Sequence, residues 1–451
     1  MRPSLPKIAA GLLLAAAVTG ATAAPLTAQQ LQADFQQVRR ALEESHGGIY
    51  RYTSKATLDR VFDDAAAKLD RPMEAVDFHR ILGPAVAAVR CGHTALIPAP
   101  ALQSAMEQAL LLPLDVKLIG GRIYVLRDLD GALELAGREI VAVNGVPASA
   151  IVSRALNASH GDGFIATGRE QRVARRFKEE LFLQFGMQGR FTLALDGPVA
   201  QSVTITGKTL AALRLASASR YPQDQPRKGF ADLSLLDNGK IARLQIFNFS
   251  DEDEEEDGAV ILKKAFAKIG ASGAHTLLLD LRDNGGGEDA LGKRVFSHLV
   301  DMPFPYYEAL TVKRSGAVGV DSVTRHPNLG IQMLAMPTFK GRVIALINGR
   351  SFSTTAELIT QLHDKQRATF VGEESGGAYH GNSSGSSMTV VLPNSAAKVV
   401  IPLVTYTLAV SVKHANGRGV VPQVHVAPTI GDYLSGRDVV LEKALQMARA
   451  K

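Results

Sequence analysis

Four strongly apolar segments in the second half of the chain constrain its fold more than any other feature. Continuous apolar runs of this length are typical of strands buried on both faces. Helix-compatible sequence separates them, and strands that alternate with helices predict an α/β core. The segments are KIARLQIFNF (240–249), HTLLLDLR (275–282), GRVIALING (341–349) and ATFVGE (368–373). We therefore predict an α/β fold whose core spans residues 225–451.

Two further regions precede this core. Residues 25–105 repeat apolar positions at helical spacing and predict an N-terminal helical domain, which carries CGHT and His93 at a break in the pattern. Residues 106–215 combine short strands with glycine turns, and their segment GREIVAVNG resembles part of a PDZ-like module, a small β-rich domain that binds peptide ends at a sheet edge. The polar segment SASRYPQDQPRK is predicted to link this region to the core.

The N-terminus has the pattern of a secretory signal peptide. Arg2 and Lys7 precede an apolar stretch, and small residues follow at 21–23. We predict that residues 1–24 are removed by cleavage near Ala23 or Ala24 and that the mature protein is periplasmic or secreted, with retention as an anchor as the alternative. The apolar stretch is short against the roughly 20 residues that a membrane span needs, and no later segment predicts a stable span.

Charge and cysteine content exclude several classes of partner. The net charge of +6 is mild, and the basic stretch RVARRFK (172–178) has Phe177 as its one aromatic residue and continues into Glu179 and Glu180. We interpret that stretch as a solvated helix face and predict no nucleic-acid binding. Cys91 is the only cysteine, which excludes an intrachain disulfide and a cysteine-rich metal site. No cofactor or metal ion is predicted.

Hydroxyl residues are crowded where an apolar run passes into a helical pattern, in VIALINGRSFSTTAELITQLHD (343–364). Serine and threonine are common helix caps. A serine on a strand-to-helix turn is also suited to nucleophilic attack, since the first helical N–H groups stabilise an oxyanion. The earlier segment DLRDNGGG (280–287) is open to a similar pair of interpretations, either a flexible turn or a backbone that approaches an anion closely.

These motifs together resemble one known family. DLRDNGGG, NGRSFSTTAE, VGEESGG and NGRGVVPQV occur in this order after GHT and the PDZ-like insert, and this arrangement resembles the tail-specific or C-terminal-processing serine peptidases, in the branch of tricorn-core and retinoid-binding-protein-like members. The resemblance implies a mixed-sheet α/β peptidase core built of crotonase-like ββα units. It also implies a serine endopeptidase that cleaves peptides or unfolded polypeptides through an acyl-enzyme.

The resemblance further assigns roles to residues. Ser353 matches the family nucleophile, Gly286 the oxyanion glycine, with Gly287 as its neighbour if the register differs by one, and the N–H of Thr354 the second donor. One branch of the family uses a lysine base, but Ala378 stands at that position here. The other branch uses a histidine, and CGHT supplies His93.

The residue that orients His93 is left open by the sequence. The family's late glutamate falls on Asn416, and an asparagine can orient a histidine without stabilising its charge. Glu373 and Glu374 are the other candidates. Two other functions compete with the peptidase: a catalytically weak or inactive relative that binds peptides, and a crotonase-like enzyme, against which the predicted secretion argues.

Overall fold

The structure is a computed structural model that describes residues 24–131, 134–196, 201–222, 229–314, 319–411 and 414–450. The predicted signal peptide lies outside these residues apart from Ala24. Across the described ranges, no helix is both long enough and apolar enough to span a membrane.

The first described region is mostly helical. Its elements are α1 (Ala28–Ser45), α2 (Lys55–Ala66), α3 (Ala75–Ala87), β1 (Ala95–Ile97) and α4 (Pro100–Gln108). A capping box starts α1, in which the Thr27 side chain accepts from the Gln30 N–H and the Gln30 side chain accepts from the Thr27 N–H. Leu31, Phe35 and Val38 then recur on one buried face of that helix.

The middle region is a β-rich domain with its own core. Its elements are β2 (Leu114–Ile119), β3 (Arg122–Asp128), β4 (Glu139–Val143), β5 (Val146–Pro147), α5 (Ala148–Ala158), α6 (Thr167–Arg175), α7 (Phe177–Phe185), β6 (Arg190–Leu195), β7 (Gln201–Thr206) and α8 (Leu210–Arg220). The antiparallel sheet has the order β2-β3-β4-β6-β7, with β5 beside β4. Residues 217–220 of the predicted linker continue α8, because the helical pattern runs on to Arg220.

The third region holds the remaining elements. They are β8 (Ala231–Leu236), β9 (Ile241–Ile246), α9 (Gly258–Ser272), β10 (Thr276–Asp280), α10 (Asp289–Ser297), β11 (Phe304–Pro305), β12 (Tyr307–Lys313), β13 (Val320–Ser322), β14 (Ile331–Gln332), β15 (Arg342–Ile347), α11 (Thr354–Asp364), β16 (Ala368–Gly372), β17 (Ser383–Val391), β18 (Lys398–Leu408), β19 (Val424–His425), α12 (Ile430–Ser435) and α13 (Val439–Arg449).

The central sheet of this region has six strands, four of which are the predicted ones. Its order is β19-β16-β15-β10-β9-β8, parallel throughout except for the edge strand β8. Apolar side chains of α9, α10 and α11 cover one face of the sheet, and those of α13 cover the other. The predicted mixed-sheet α/β core is confirmed.

A second sheet joins the core to the N-terminal helices. Its order is β1-β18-β12-β13, with β17 also paired to β18. Leu31 and Phe35 of α1 share one hydrophobic cluster with Val399 and Ile401 of β18. The N-terminal helices and the α/β core are therefore packed around a common interior, which fixes CGHT, immediately before β1, relative to the core.

Candidate active site

Three motifs meet at one edge of the central sheet. The parallel strands β10, β15 and β16 run side by side, and each is followed at its carboxyl end by one of the motif loops: DNGGG after β10, NGRSFST after β15 and EESGG after β16. Open α/β sheets bind ligands outside the carboxyl ends of their strands. This edge is therefore where a substrate is expected to lie.

Ser353 occupies a strained backbone position at the start of α11. It is the N-cap residue with φ 56° and ψ −129°, a conformation that L-residues rarely adopt and that clusters at functional sites. Its side chain makes no capping hydrogen bond. The hydroxyl instead contacts the His93 ring, with 3.0 Å between Ser353 Oγ and His93 Nε2. The helix-capping interpretation of this serine is therefore not what the geometry favours.

His93 is held in place by its neighbours in CGHT. The residues after it enter β1, where Ala95 pairs with Val400 of β18. Thr94 is fully buried, and its Oγ1 lies 2.8 Å from His46 Nε2. The His93 ring packs on Phe352 with 4.6 Å between ring centroids and 31° between ring planes. These contacts aim Nε2 at Ser353, although the two residues lie 260 positions apart.

Burial favours the neutral form of the His93 imidazole. Desolvation lowers the pKa of the imidazole below its usual 6.5, Asp162 opposes this by raising it, and Arg172 lowers it further. A neutral imidazole that accepts a proton at Nε2 must carry its hydrogen on Nδ1. Yet Nδ1 is buried without a hydrogen-bond partner among the described residues. The ring is thus available as a base, with one nitrogen unsatisfied.

Asp162 is the carboxylate beside this ring. One oxygen of Asp162, one ring nitrogen of His93 and Sγ of Cys91 all lie within 4.8 Å of one another. Burial raises the pKa of the Cys91 thiol to about 12, and the protonated thiol donates to the Ser383 carbonyl at 3.6 Å. Cys91 is therefore a buried side chain whose hydrogen bond goes to the chain backbone, beside the Asp162 carboxylate.

The loop that carries Asp162 is clamped from both sides. Asp162 is buried, and its carboxylate accepts the N–H of Gly92 at 2.7 Å and that of Ala378 at 3.4 Å. The next residue, Gly163, has φ 54° and lies against the backbone of Gly417, where an added Cβ would clash. The middle domain therefore places a carboxylate between CGHT and the loop after β16.

The candidate oxyanion donors lie where α11 begins. Gly286 has φ 101°, and a Cβ there would come 2.6 Å from Ser353 Cβ and 3.1 Å from the nitrogen of Thr354, so only glycine allows this approach. Thr354 Oγ1 donates to the Gly287 carbonyl at 2.7 Å and ties the two loops together. Because Thr354 is the first residue of the helix, its N–H has no preceding helical carbonyl to bond.

The two glycines differ in how their N–H groups are used. The Gly286 N–H donates to Asn284 Oδ1 at 2.9 Å. The Gly287 N–H donates to no acceptor in the described part of the chain. In this conformation Thr354 and Gly287 therefore have uncommitted N–H groups, and Gly286 does not.

None of the residues that the sequence offered as orienters bonds to the ring. The Asn416 side chain is exposed and donates to the Arg51 carbonyl at 3.3 Å. Glu373 lies in a separate cleft with Lys117 and Asp283. The Glu374 carboxylate accepts from the Arg418 guanidinium at 2.8 and 2.6 Å and from the Gly419 N–H at 2.9 Å.

One family model matches the core that carries Ser353. Residues 240–426, which include all three motif loops and the nucleophile turn, match the model of peptidase family S41. This core belongs to peptidase family S41. The matched region is accordingly that of a serine peptidase, and the tail-specific peptidase family predicted from the sequence is confirmed for this core. No curated protein matches the chain.

Solved structures share the fold of this S41 peptidase over most of its length. Mature CPAF is 17% identical, covers 92% of this chain and 96% of its own, and superimposes with a TM-score of 0.65. Mature CPAF complexed with lactacystin is 15% identical, covers 94% of this chain and 98% of its own, and has a TM-score of 0.67. A candidate peptidase from Parabacteroides merdae is 18% identical over 94% of this chain and 98% of its own, with a TM-score of 0.53.

Sequence reasoning missed Asp162. The residue sits in HGDGF, a glycine-rich break after α5, and that break was the available signal. Nothing in the local pattern connects it to Gly92, which lies 70 positions away. The connection arises only because the middle domain packs against CGHT.

Proposed function

We propose that this S41 peptidase is an exported endopeptidase that cleaves peptides or unfolded polypeptides, with Ser353 as the nucleophile and His93 as the general base. The contact of 3.0 Å between Ser353 Oγ and His93 Nε2 carries the proposal, since a weak nucleophile needs a base within hydrogen-bond reach. Export is supported by the basic and apolar pattern of residues 1–24.

In the proposed acylation, Ser353 Oγ attacks the peptide carbonyl carbon while its proton passes to His93 Nε2. The oxyanion forms at the first turn of α11, where the Thr354 N–H and the positive end of the helix stabilise it. His93 then gives the proton to the leaving amine as the C–N bond breaks. In deacylation His93 takes a proton from water, the hydroxide attacks the ester, and Ser353 regains its hydrogen.

Asp162 is proposed as the charge that balances the imidazolium in both steps. Its carboxylate is buried within 4.8 Å of a His93 ring nitrogen. A carboxylate at that distance stabilises the protonated ring more than the neutral one. This assigns to Asp162 the positioning role that the sequence offered to Asn416, Glu373 and Glu374.

A catalytically weak relative that binds peptides is the second candidate. Two observations favour it: the Gly286 N–H is engaged by Asn284 Oδ1, and His93 Nδ1 has no partner among the described residues. Both features describe a site that is not fully set for catalysis. Labelling with a fluorophosphonate distinguishes the candidates, because only an activated serine displaces the fluoride.

We expect a fluorophosphonate to modify the wild-type enzyme once, at Ser353, because His93 removes the proton of that hydroxyl. Mass spectrometry of the digested protein locates the adduct. Ser351→Ala should label as the wild type does, since the Ser351 hydroxyl is buried and donates to the Leu281 carbonyl at 2.8 Å. A folded wild-type protein that takes up no label would support the peptide-binding relative.

Asp162→Asn is expected to lower kcat by roughly 100-fold. Opposite charges about 5 Å apart attract by roughly 3 kcal/mol at an effective dielectric constant near 20, and about 1.4 kcal/mol corresponds to a tenfold change in rate. Because Asp162 raises the His93 pKa, the acidic limb of kcat/KM should also move to lower pH in this variant. A purely structural role would leave that limb in place.

The matched controls for this variant are Asn416→Ala and Glu373→Gln. Neither side chain bonds to His93, so both variants should retain kcat and the wild-type pH profile. If one of these controls lost most of its kcat while Asp162→Asn kept the wild-type value, the residue changed in that control would be the one that orients His93.

A further inference from the structure

A cavity lined with arginine side chains opens beside the candidate catalytic pair. Its volume is about 670 Å³. Gly92, Phe352 and Gly285 line the cavity. Gly92 precedes His93, Phe352 precedes Ser353, and Gly285 belongs to the DNGGG loop. An occupant therefore lies against the backbone that flanks the reacting groups. We call this space the arginine cavity; its cationic lining residues are Arg169, Arg172, Arg175, Arg176 and Arg350.

The positive charge of this lining is not balanced. Two carboxylates, Asp162 and Glu179, also line the cavity. The oxygens of Asp162 accept backbone N–H groups, and Oε2 of Glu179 is buried without a partner among the described residues. Arg350 contacts Asp283 at 3.3 Å. In the described part of the chain the other four arginines form no ion pair within 4.0 Å.

Arg172 is the arginine most affected by this arrangement. Its Nε is buried without a hydrogen-bond partner in the described residues. Burial lowers the pKa of its guanidinium, and Arg176 and Arg175 lower it further. Burying a cation among like charges is unfavourable unless an anion pairs with it. Several guanidinium groups thus surround the cavity, and their positive charge is complementary to an anion.

The sequence interpretation of RVARRFK as a solvated helix face holds only for part of it. Arg175 and Arg176 are exposed at the rim, whereas Arg172 is half-buried and Val173 and Ala174 are buried. The basic stretch therefore faces the cavity from α6 and the residue after it. Guanidinium groups bind carboxylates through paired hydrogen bonds, which suits them to recognition.

We propose that the arginine cavity is a substrate subsite that binds acidic side chains of the peptide close to the scissile bond. The proposal rests on the peptidase function above and names its substrate class. Five guanidinium groups exceed what a single terminal carboxylate needs, and the volume suits a peptide segment with more than one carboxylate. Acidic peptides are accordingly the preferred substrates.

Peptide binding to the Ser353→Ala enzyme tests this inference without requiring turnover. Fluorescence anisotropy compares two labelled peptides of equal length, one with Asp and Glu and the other with Asn and Gln at the same positions. We expect the acidic peptide to bind about tenfold tighter or more, because charge-assisted hydrogen bonds are strong, and the difference to shrink as salt rises. Equal binding of the two peptides would overturn the proposal.

Three variants on the Ser353→Ala background locate the effect. Arg172→Gln should remove most of the preference for the acidic peptide, Arg172→Lys should retain part of it because the charge remains, and Arg314→Gln should leave it intact, since Arg314 is exposed and pairs with Asp321. Arg175→Gln, at the exposed rim, provides a milder second change should Arg172→Gln fail to fold. A preference that survives both glutamine changes in the cavity would contradict the assignment.

A C-terminal amide on the acidic peptide distinguishes side chains from the free terminus. We expect amidation to leave binding unchanged, whereas a preference that follows the terminal carboxylate would overturn the proposal. Hydrolysis by the wild-type enzyme is measured separately. Absence of turnover with retained acidic preference would refute the peptidase proposal alone, and turnover without preference would refute the arginine cavity alone.

Discussion

Ser353→Ala is expected to abolish peptide hydrolysis, with kcat falling by roughly 10⁴- to 10⁶-fold, the range found when a serine nucleophile is removed. The change deletes only the hydroxyl, whose contact in the structure is His93 Nε2 at 3.0 Å. Alanine keeps the Cβ, so the backbone strain at φ 56° is unchanged. The midpoint of thermal unfolding should therefore stay close to that of the wild type.

Ser351→Ala is the matched control, with the opposite expected result. The Ser351 hydroxyl donates to the Leu281 carbonyl at 2.8 Å and accepts from the Asn348 N–H at 3.1 Å. Leaving those buried groups unpaired should cost about 1–3 kcal/mol of stability, while most of the turnover remains. If the Ser353→Ala enzyme hydrolysed a casein-like or short peptide substrate at the wild-type rate, Ser353 would not be the nucleophile.

His93→Ala should reduce kcat by roughly 10⁴-fold or more, because Ser353 then lacks its base. Wild-type activity should fall as pH drops through the pKa of His93, since the protonated ring cannot accept the serine proton. Burial lowers that pKa, so the acidic limb of kcat/KM should lie below pH 6.5. The pH dependence of kcat/KM reports the free enzyme and is the measurement to use.

His380→Ala is the control for this second prediction. The His380 ring packs against Tyr379 in the loop after β16, and its carbonyl accepts from the Arg51 guanidinium at 2.9 Å. The variant should keep its activity. If His93→Ala were active and His380→Ala were not, the base would be His380, and the contact between His93 and Ser353 would have only a structural role.

The fold could be predicted from the sequence where neighbouring residues alone determine the local structure. The four apolar runs became β9, β10, β15 and β16 because each is too apolar to be exposed on either face. The turns at DNGGG and before α11 could likewise be predicted, because glycine and hydroxyl residues are typical of such turns. The shared interior of α1 and β18 could not be read this way, because it depends on packing between segments more than 350 residues apart.

The candidate site was predictable in its chemistry and less so in its surroundings. Ser353 and His93 stand in motifs that resemble those of the peptidase family, and that resemblance predicted the pair. Asp162 stands in no such motif and reaches the ring only through the docking of the middle domain. The sequence also could not predict that the arginines of α6 line a cavity. A helical pattern identifies the polar face of a helix, but it does not identify what packs opposite that face.

The proposed site draws His93 from the N-terminal region, Asp162 from the middle domain and Ser353 from the core. During synthesis the chain emerges from its N-terminus, so the histidine is made long before the serine. The proposed set of Ser353, His93 and Asp162 comes together only when all three regions have docked. A chain that is still folding is itself an unfolded polypeptide, the class of molecule this enzyme is proposed to cut. Under that proposal, a new chain gains the ability to cleave only after its own three regions have docked.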